Sequence, residues 1–404
     1  MPADPRRVIA DLRELDERTG GPDGARRVCW TGEWRAARAF LYKRLTELDD
    51  VTAEVDDAGN LWARLDGRRS ETVALGSHLD SVPSGGWLDG ALGVMAALEV
   101  LRVAAEDGAE RSVALVDFAD EEGARFGRSL FGSSAVAGTL DPAALEDLTD
   151  ADGRPIREVL AEHEVDLDAA PRASRMRDGL AAYLELHIEQ GPVLESEDVP
   201  AAAVTGTVGV ERHRMRFEGQ AAHAGTTPME KRRDAGLAAA ATALTVEDVA
   251  RRHEGVGTTG ALKLDPGVVT AVPGLAELSV DLRHARPEAL SAMLEIVRAA
   301  AGAAAMSRSC SVSDAEIWSI EPIAFDERIV DAVRVATGSD RALASGALHD
   351  AAEMARHVPT GMVFTSSTGG LSHAKEEDTP EPHLERAIAA YADVARQLIA
   401  GEIV

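Results

Sequence analysis

The chain has 404 residues, with 42 Lys or Arg against 69 Asp or Glu, a formal charge of −27. A field of that sign repels polyanions, which excludes a nucleic-acid or anionic-membrane surface as a partner. With 45% hydrophobic residues the composition is globular, and the length fits two or three domains.

The amino terminus, MPADPRRVIADLRELDERTG, lacks an apolar core of secretory length, and no uncharged run approaches a membrane span. Cys29 and Cys310 are the only cysteines, too few for a disulfide framework, so a reducing, cytoplasmic setting is expected. Helices are predicted over residues 4–18 and 31–48, the second capped by Thr31. Strands follow over 51–55, 60–65 and 72–77, then a small-residue helix over 91–105 and buried strands over 112–118 and 180–188. Strands alternating with helices predict an α/β sheet with helices on both faces.

From about Thr207 the texture changes. Period-2 alternation over 210–217 precedes a helix over 234–252, strands over 260–265 and 275–283, and a helix over 287–301, which together read as an α+β insert. Helices over 327–336 and 381–400 and an apolar strand over 360–364 restore the earlier pattern. The predicted organisation is a catalytic domain in two pieces, 1–207 and 319–404, around an inserted lid or dimerisation domain, 208–318. Counted from Val208 to Trp318, the insert holds 13 basic and 14 acidic residues. Nearly all of the acidity therefore belongs to the rest of the chain, as a solvated surface.

Four strand ends carry chemistry. In GSHLDSVPSGGWLDGALGV, a strand delivers His78 and Asp80 at its carboxyl end, where open α/β sheets place ligands. On an extended segment these two side chains face the same way, so Asp80 is expected to hold the His78 ring. Asp89 follows in a Gly-rich loop before a helix. A second strand ends in Ala119-Asp120-Glu121-Glu122-Gly123. Adjacent carboxylates repel unless a cation sits between them, and a metal ion with a water answers this, one Glu ligating while its neighbour takes the proton. A solvated acidic turn is the blander reading of that pair. His187 in the apolar run YLELHI would by itself be a satisfied core histidine, and His373 lies in the Gly/Ser loop SSTGGLSHA. Four such ends together point to one convergent site.

The segments GSHLDSVPSGGWLDGALG, DEEGARFG, ELHIEQGPVLE, GQAAHAGTTPM, AVPG with DLRH, SGALHDA and GLSHAKEEDT, spread over residues 76–379, resemble the M20-type metallo-amidohydrolases. Within them the chain is similar to the hydantoinase/carbamoylase branch, which includes N-carbamoyl-L-amino acid hydrolases, β-ureidopropionases and allantoate amidohydrolases. The resemblance implies a two-domain α/β fold: a di-metal, aminopeptidase-like catalytic domain with an inserted α+β domain for dimerisation and closure. It implies Asp89 as the bridging ligand, His78 and His187 on one metal, and Glu122 and His373 on the other. It makes Glu121 the general base and acid, Asp80 the orienter of His78, and His223 an oxyanion donor in its own or a neighbouring subunit. His187, where peptidases of the superfamily usually carry a carboxylate, favours an amidohydrolase. Arg283 becomes a carboxylate clamp, and Gln190, Thr270 and His349 further substrate contacts.

Nitrogen and oxygen ligands without thiolate suit two divalent ions, with Zn²⁺ the leading candidate and Mn²⁺, Co²⁺ or Ni²⁺ as alternatives. Three positions depart from the branch. Thr270 replaces an Asn, Leu348 replaces a Gly in SGALHDA, and Trp87-Leu88 replaces a basic-aromatic pair. The expected activity is hydrolysis of the linear C–N bond of an N-carbamoyl amino acid, a small anionic substrate, by a homodimer. The alternatives are an allantoate amidohydrolase, an N-acyl amino acid or dipeptide hydrolase, and a lid-closing binding protein for an amino-acid derivative.

Overall fold

A computed structural model describes residues 2–404. The chain divides into two compact units, one running up to Gly206 and resuming over Ala324–Val404, the other Thr207–Ile323.

The first unit is built on a mixed sheet. Its centre is four neighbouring strands, in the order Thr360–Thr365, Leu180–Ile188, Arg69–His78 and Arg111–Phe118, all parallel. Antiparallel strands extend both sides, Ala201–Thr207 beside Thr360–Thr365, and Leu61–Leu65 followed by Val51–Val55 beside Arg111–Phe118. The central strands are almost wholly buried, which is why they read as unbroken apolar runs rather than alternating ones. Helices Ala91–Asp107 and Glu381–Ala400 pack on this sheet and on each other, and helix Pro5–Thr19 packs on both of them. Side chains at the caps fix helix starts: Asp4 accepts from Arg6 N and Thr31 from Trp34 N.

The second unit is an antiparallel five-stranded sheet. Strand Leu275–His284 alternates buried and half-buried positions, the mark of a sheet with one covered face. Helices Ala235–Arg252 and Pro287–Ser307 supply that cover, burying Leu290, Met293 and Val297 against Met215, Phe217 and Leu278. Pro287–Ser307 is long and apolar enough to cross a membrane by length and composition; its apolar face belongs to this core. Strand Ser311–Ile320, largely exposed, pairs with Gly209–Glu218. It carries too little apolar alternation to be read from the sequence. Cys29 and Cys310 are both free.

Candidate metal centre

Because the four central strands are parallel and adjacent, their carboxyl ends open side by side. His78 closes one strand, Phe118 the next, with Ala119–Glu122 turning away from it; His187 is the penultimate residue of the third, and the fourth runs into the loop to His373. The register seats His78 beside Phe118 and His187 beside Phe364. Four segments distant in sequence thus converge on Asp89.

Asp89 lies at the centre of two triads, His78–Asp89–His187 and Asp89–Glu122–His373, in each of which the ligand atoms lie within 4.8 Å of one another. His187 Nε2 is 3.1 Å from Asp89 Oδ1 and His78 Nε2 is 3.9 Å from the same atom. On the other oxygen, His373 Nε2 is 3.4 Å from Asp89 Oδ2 and also 3.4 Å from Glu122 Oε2. One carboxylate therefore serves two clusters through its two oxygens.

The donor chemistry fits cations. His78 Nδ1 faces the carbonyl of Asp80 at 3.0 Å and His187 Nδ1 that of Ile188 at 2.9 Å. A carbonyl only accepts, so the proton belongs on Nδ1 and the Nε2 lone pair is aimed at a carboxylate oxygen. Two acceptors at such distances repel unless the ring is charged or a cation lies between them. Without metal, protons take that place. Burial disfavours the His187 imidazolium, but the Asp89 hydrogen bond and charge outweigh it and push the ring up to about 9. His373, held mainly by its bond to Asp89, also rises to about 9. Burial, only partly offset by the Asp89 charge and reinforced by the charge of His187, drops His78 to about 4. Burial and the Asp89 charge raise Glu122 to about 7, and burial, Asp350 and Glu122 hold Glu121 well above the usual carboxylate range.

Glu121 is buried beside the first triad, its Oε2 3.7 Å from His78 Nε2. Asp80 meets the His78 ring chiefly through its backbone carbonyl. The strand ends at His78, so alternation no longer applies two residues on, and the ring meets the Asp80 carbonyl while the carboxylate stands 3.6 Å away. That carboxylate instead accepts the backbone N–H groups of Glu121 and Glu122, each at 3.2 Å.

Gln190 Nε2 donates to Asp89 Oδ2 at 3.0 Å, and its Oε1 is buried without a partner. His349 is buried, with its ring centroid 4.5 Å from that of His187 and its Nε2 2.9 Å from Ser345 Oγ. Asp120, Gln190 and His373 adopt left-handed backbone, with φ of 56°, 58° and 54°, a strain that the surrounding bonds must sustain.

His223, Thr270 and Arg283 belong to the second unit. His223 is exposed, and its Nδ1 accepts from Gly225 N at 3.0 Å and Thr226 N at 3.2 Å. Its proton therefore sits on Nε2, leaving an outward donor. Its strand segment pairs with Ala271–Val272, and Ala224 N donates to the carbonyl of exposed Thr270. Arg283 Nε donates to Asp281 Oδ1 at 2.9 Å.

Sequence reasoning missed several supporting groups. Glu377 accepts from Asp89 N at 3.0 Å and from Ser372 Oγ at 3.0 Å, tying the Asp89 loop to the His373 loop. It lies inside GLSHAKEEDT, four residues after His373, so a signal existed. Glu185, on the same side of its strand as His187, takes Ser77 Oγ at 2.7 Å. Asn60 fixes the start of the acidic turn, its Oδ1 accepting from Ala119 N and its Nδ2 donating to Gly132 O. Trp87 Nε1 reaches Asp378 and its ring lies 4.8 Å from the Arg13 guanidinium carbon, bracing the loop before Asp89.

Residues 74–397 match the model of peptidase family M20/M25/M40. The chain is 36% identical over 378 residues to an N-carbamoyl-L-amino acid amidohydrolase of Geobacillus stearothermophilus, covering 91% of each. It is 31% identical to an allantoate amidohydrolase of Bacillus subtilis, covering 93% of each. Among solved structures it is similar to a hydantoinase/carbamoylase family amidase from Burkholderia multivorans, with a TM-score of 0.86, 32% identity and 98% of each chain covered. A metal-ligand constellation at the strand ends, full-length likeness to amidohydrolases and the family match lead to one conclusion: this chain is a hydrolase of the M20/M25/M40 peptidase family, in its hydantoinase/carbamoylase branch.

Proposed function

We propose that the chain hydrolyses the ureido C–N bond of an N-carbamoyl amino acid at a centre of two divalent ions sharing Asp89. The observation that carries this reading is the pair of triads meeting on the two oxygens of one carboxylate, with a further buried carboxyl, Glu121, beside them. His78, Asp89 and His187 would hold one ion and Asp89, Glu122 and His373 the other, with Zn²⁺ favoured by the N/O donor set. Bound there, the ions supply Lewis acidity and a lowered water pKa.

The rest of the chemistry belongs to the chain. Glu121 takes the proton of the attacking water and returns it to the leaving nitrogen. The products of an N-carbamoyl substrate are the amino acid, CO₂ and ammonia. His223 donates from Nε2 to the developing oxyanion, which is worth about 3 kcal/mol for such a donor. Arg283 grips the substrate carboxylate through its planar fork, and Gln190 offers its unpartnered Oε1 to a substrate N–H. Thr270 and His349 complete the substrate contacts in this reading. Thr207–Ile323 acts as lid and as the homodimer contact.

Allantoate is the second candidate substrate, favoured by the likeness to the Bacillus subtilis enzyme. Ammonia release from N-carbamoyl amino acids and allantoate, and free amino acid release from dipeptides, each with and without chelator, tests the choice. Chelator-sensitive turnover of N-carbamoyl amino acids above the others is expected. Turnover confined to allantoate selects the second reading, and none on any substrate rejects both.

A further inference from the structure

A further group of metal-type ligands lies wholly within the second unit. His213, on strand Gly209–Glu218, stands opposite Glu316 of strand Ser311–Ile320 in the antiparallel ladder, and Glu211 precedes His213 by two residues on the same strand. Ligand atoms of Glu211, His213 and Glu316 lie within 4.8 Å of one another. The His213 side chain has no exposed surface and shares its side of the strand with the core residues Met215 and Phe217. The three groups therefore meet where the core gives way to solvent: the imidazole is fully buried and Glu316 is exposed.

The hydrogen bonds around the ring decide what it can hold. His213 Nδ1 is 3.0 Å from Asp314 Oδ1, and the other oxygen of Asp314 accepts from Arg298 Nε at 2.8 Å. A carboxylate in that ion pair only accepts, so Nδ1 carries the ring proton and the Nε2 lone pair faces Glu211 Oε2, 3.2 Å away. Two acceptors so placed repel unless a proton or a metal ion joins them. Arg298 answers Asp314, whereas among the described residues neither Glu211 nor Glu316 pairs with a Lys or Arg. A proton on Nε2 would offset one of these two carboxylates, and a divalent ion offsets both. The spacing also suits an ion: two ligand atoms each about 2.1 Å from a tetrahedral Zn²⁺ stand about 3.4 Å apart, close to the 3.2 Å between Nε2 and Oε2. A carboxylate on the far nitrogen, here Asp314, is the usual device for aiming a metal-bound imidazole. We propose that Glu211, His213 and Glu316 form a divalent-cation site separate from the Asp89 centre, taking Zn²⁺ or another ion suited to nitrogen and oxygen donors. An ion there cross-links the largely exposed edge strand Ser311–Ile320 to its inner neighbour Gly209–Glu218.

The test uses the full chain, stripped by chelator, dialysed to equilibrium against micromolar Zn²⁺ and analysed for Zn²⁺ per chain. Wild type is compared with Glu211→Gln, Glu316→Gln and His213→Gln, and with Glu218→Gln as a control on the same strand outside the cluster. Each cluster variant should hold about one ion fewer than wild type, and the control should match wild type. Because the readout is a difference between variants that leave the Asp89 centre intact, it stands whether or not that centre binds two ions. If the buried His213→Gln does not fold, the two glutamate variants, at partly or fully exposed positions, decide. A count that falls in either of them but not in Glu218→Gln supports the site. An undiminished count in both, which would mean that a proton rather than a metal ion joins Nε2 to Glu211, overturns the proposal, and so does an equal fall in the control.

Discussion

The Asp80 carboxylate accepts the backbone N–H of Glu121 at 3.2 Å, with its second oxygen on Glu122 N at the same distance. Because the Asp80 carbonyl also takes His78 Nδ1, one residue sets both the aim of an imidazole and the turn that presents the acidic pair. Asp80 is fully buried, so nothing else can substitute for either bond.

Asp80→Asn keeps the carbonyl and the shape but turns one of the two carboxylate acceptors into a donor facing a backbone N–H. Activity or metal affinity is expected to fall by about 10- to 100-fold, the usual effect of disturbing groups that hold metal ligands. Steady-state turnover together with metal content per chain checks this; unchanged values for both would contradict the role given to Asp80.

Metal loading should release protons. In the metal-free protein His187 and His373 sit at about 9 and Glu122 at about 7, so both imidazoles carry protons at pH 7 that the ions must displace. Roughly two protons per chain are expected at pH 7 from the imidazoles alone, with Glu122 adding a fraction. Because the raised values favour the protonated, metal-free form, apparent affinity rises with pH and the release fades above about pH 10. Calorimetric titration with Zn²⁺ in two buffers of different ionisation enthalpy measures the number.

Gly90 occupies left-handed backbone, φ 63°, directly after Asp89, and a Cβ there would fall 2.4 Å from the His78 ring. Gly90→Ala must either strain the backbone or push the ring away from Asp89. A loss of about 1–3 kcal/mol in stability is expected from the strain, accompanied by weaker metal binding. Chemical denaturation and chelator competition read the two effects separately; a variant as stable and as tightly metallated as wild type would show that the close approach is not required.

Much of this arrangement is written locally in the chain. Strands 51–55 and 180–188 and the helix 381–400 coincide with the structure, because apolar runs and caps are short-range signals. His78, Asp89, Glu122, His187 and His373 stand out because each closes or follows a buried strand. That Asp80 meets His78 through its carbonyl is not legible in the sequence, because alternation holds only while the strand lasts. Arg27 and Asn60 escape sequence reading for another reason. Arg27 meets Leu79 from 52 positions away and Asn60 meets Ala119 from 59, and a lone polar residue in a polar stretch reads as solvated until the fold buries it.

The central claim is that Glu121 moves the proton in a metal-dependent hydrolysis. Glu121→Gln, loaded with Zn²⁺ and checked for metal content, should keep its ions while ammonia release from an N-carbamoyl amino acid falls by at least about 10²-fold. Near-wild-type turnover with the full metal complement would contradict the account.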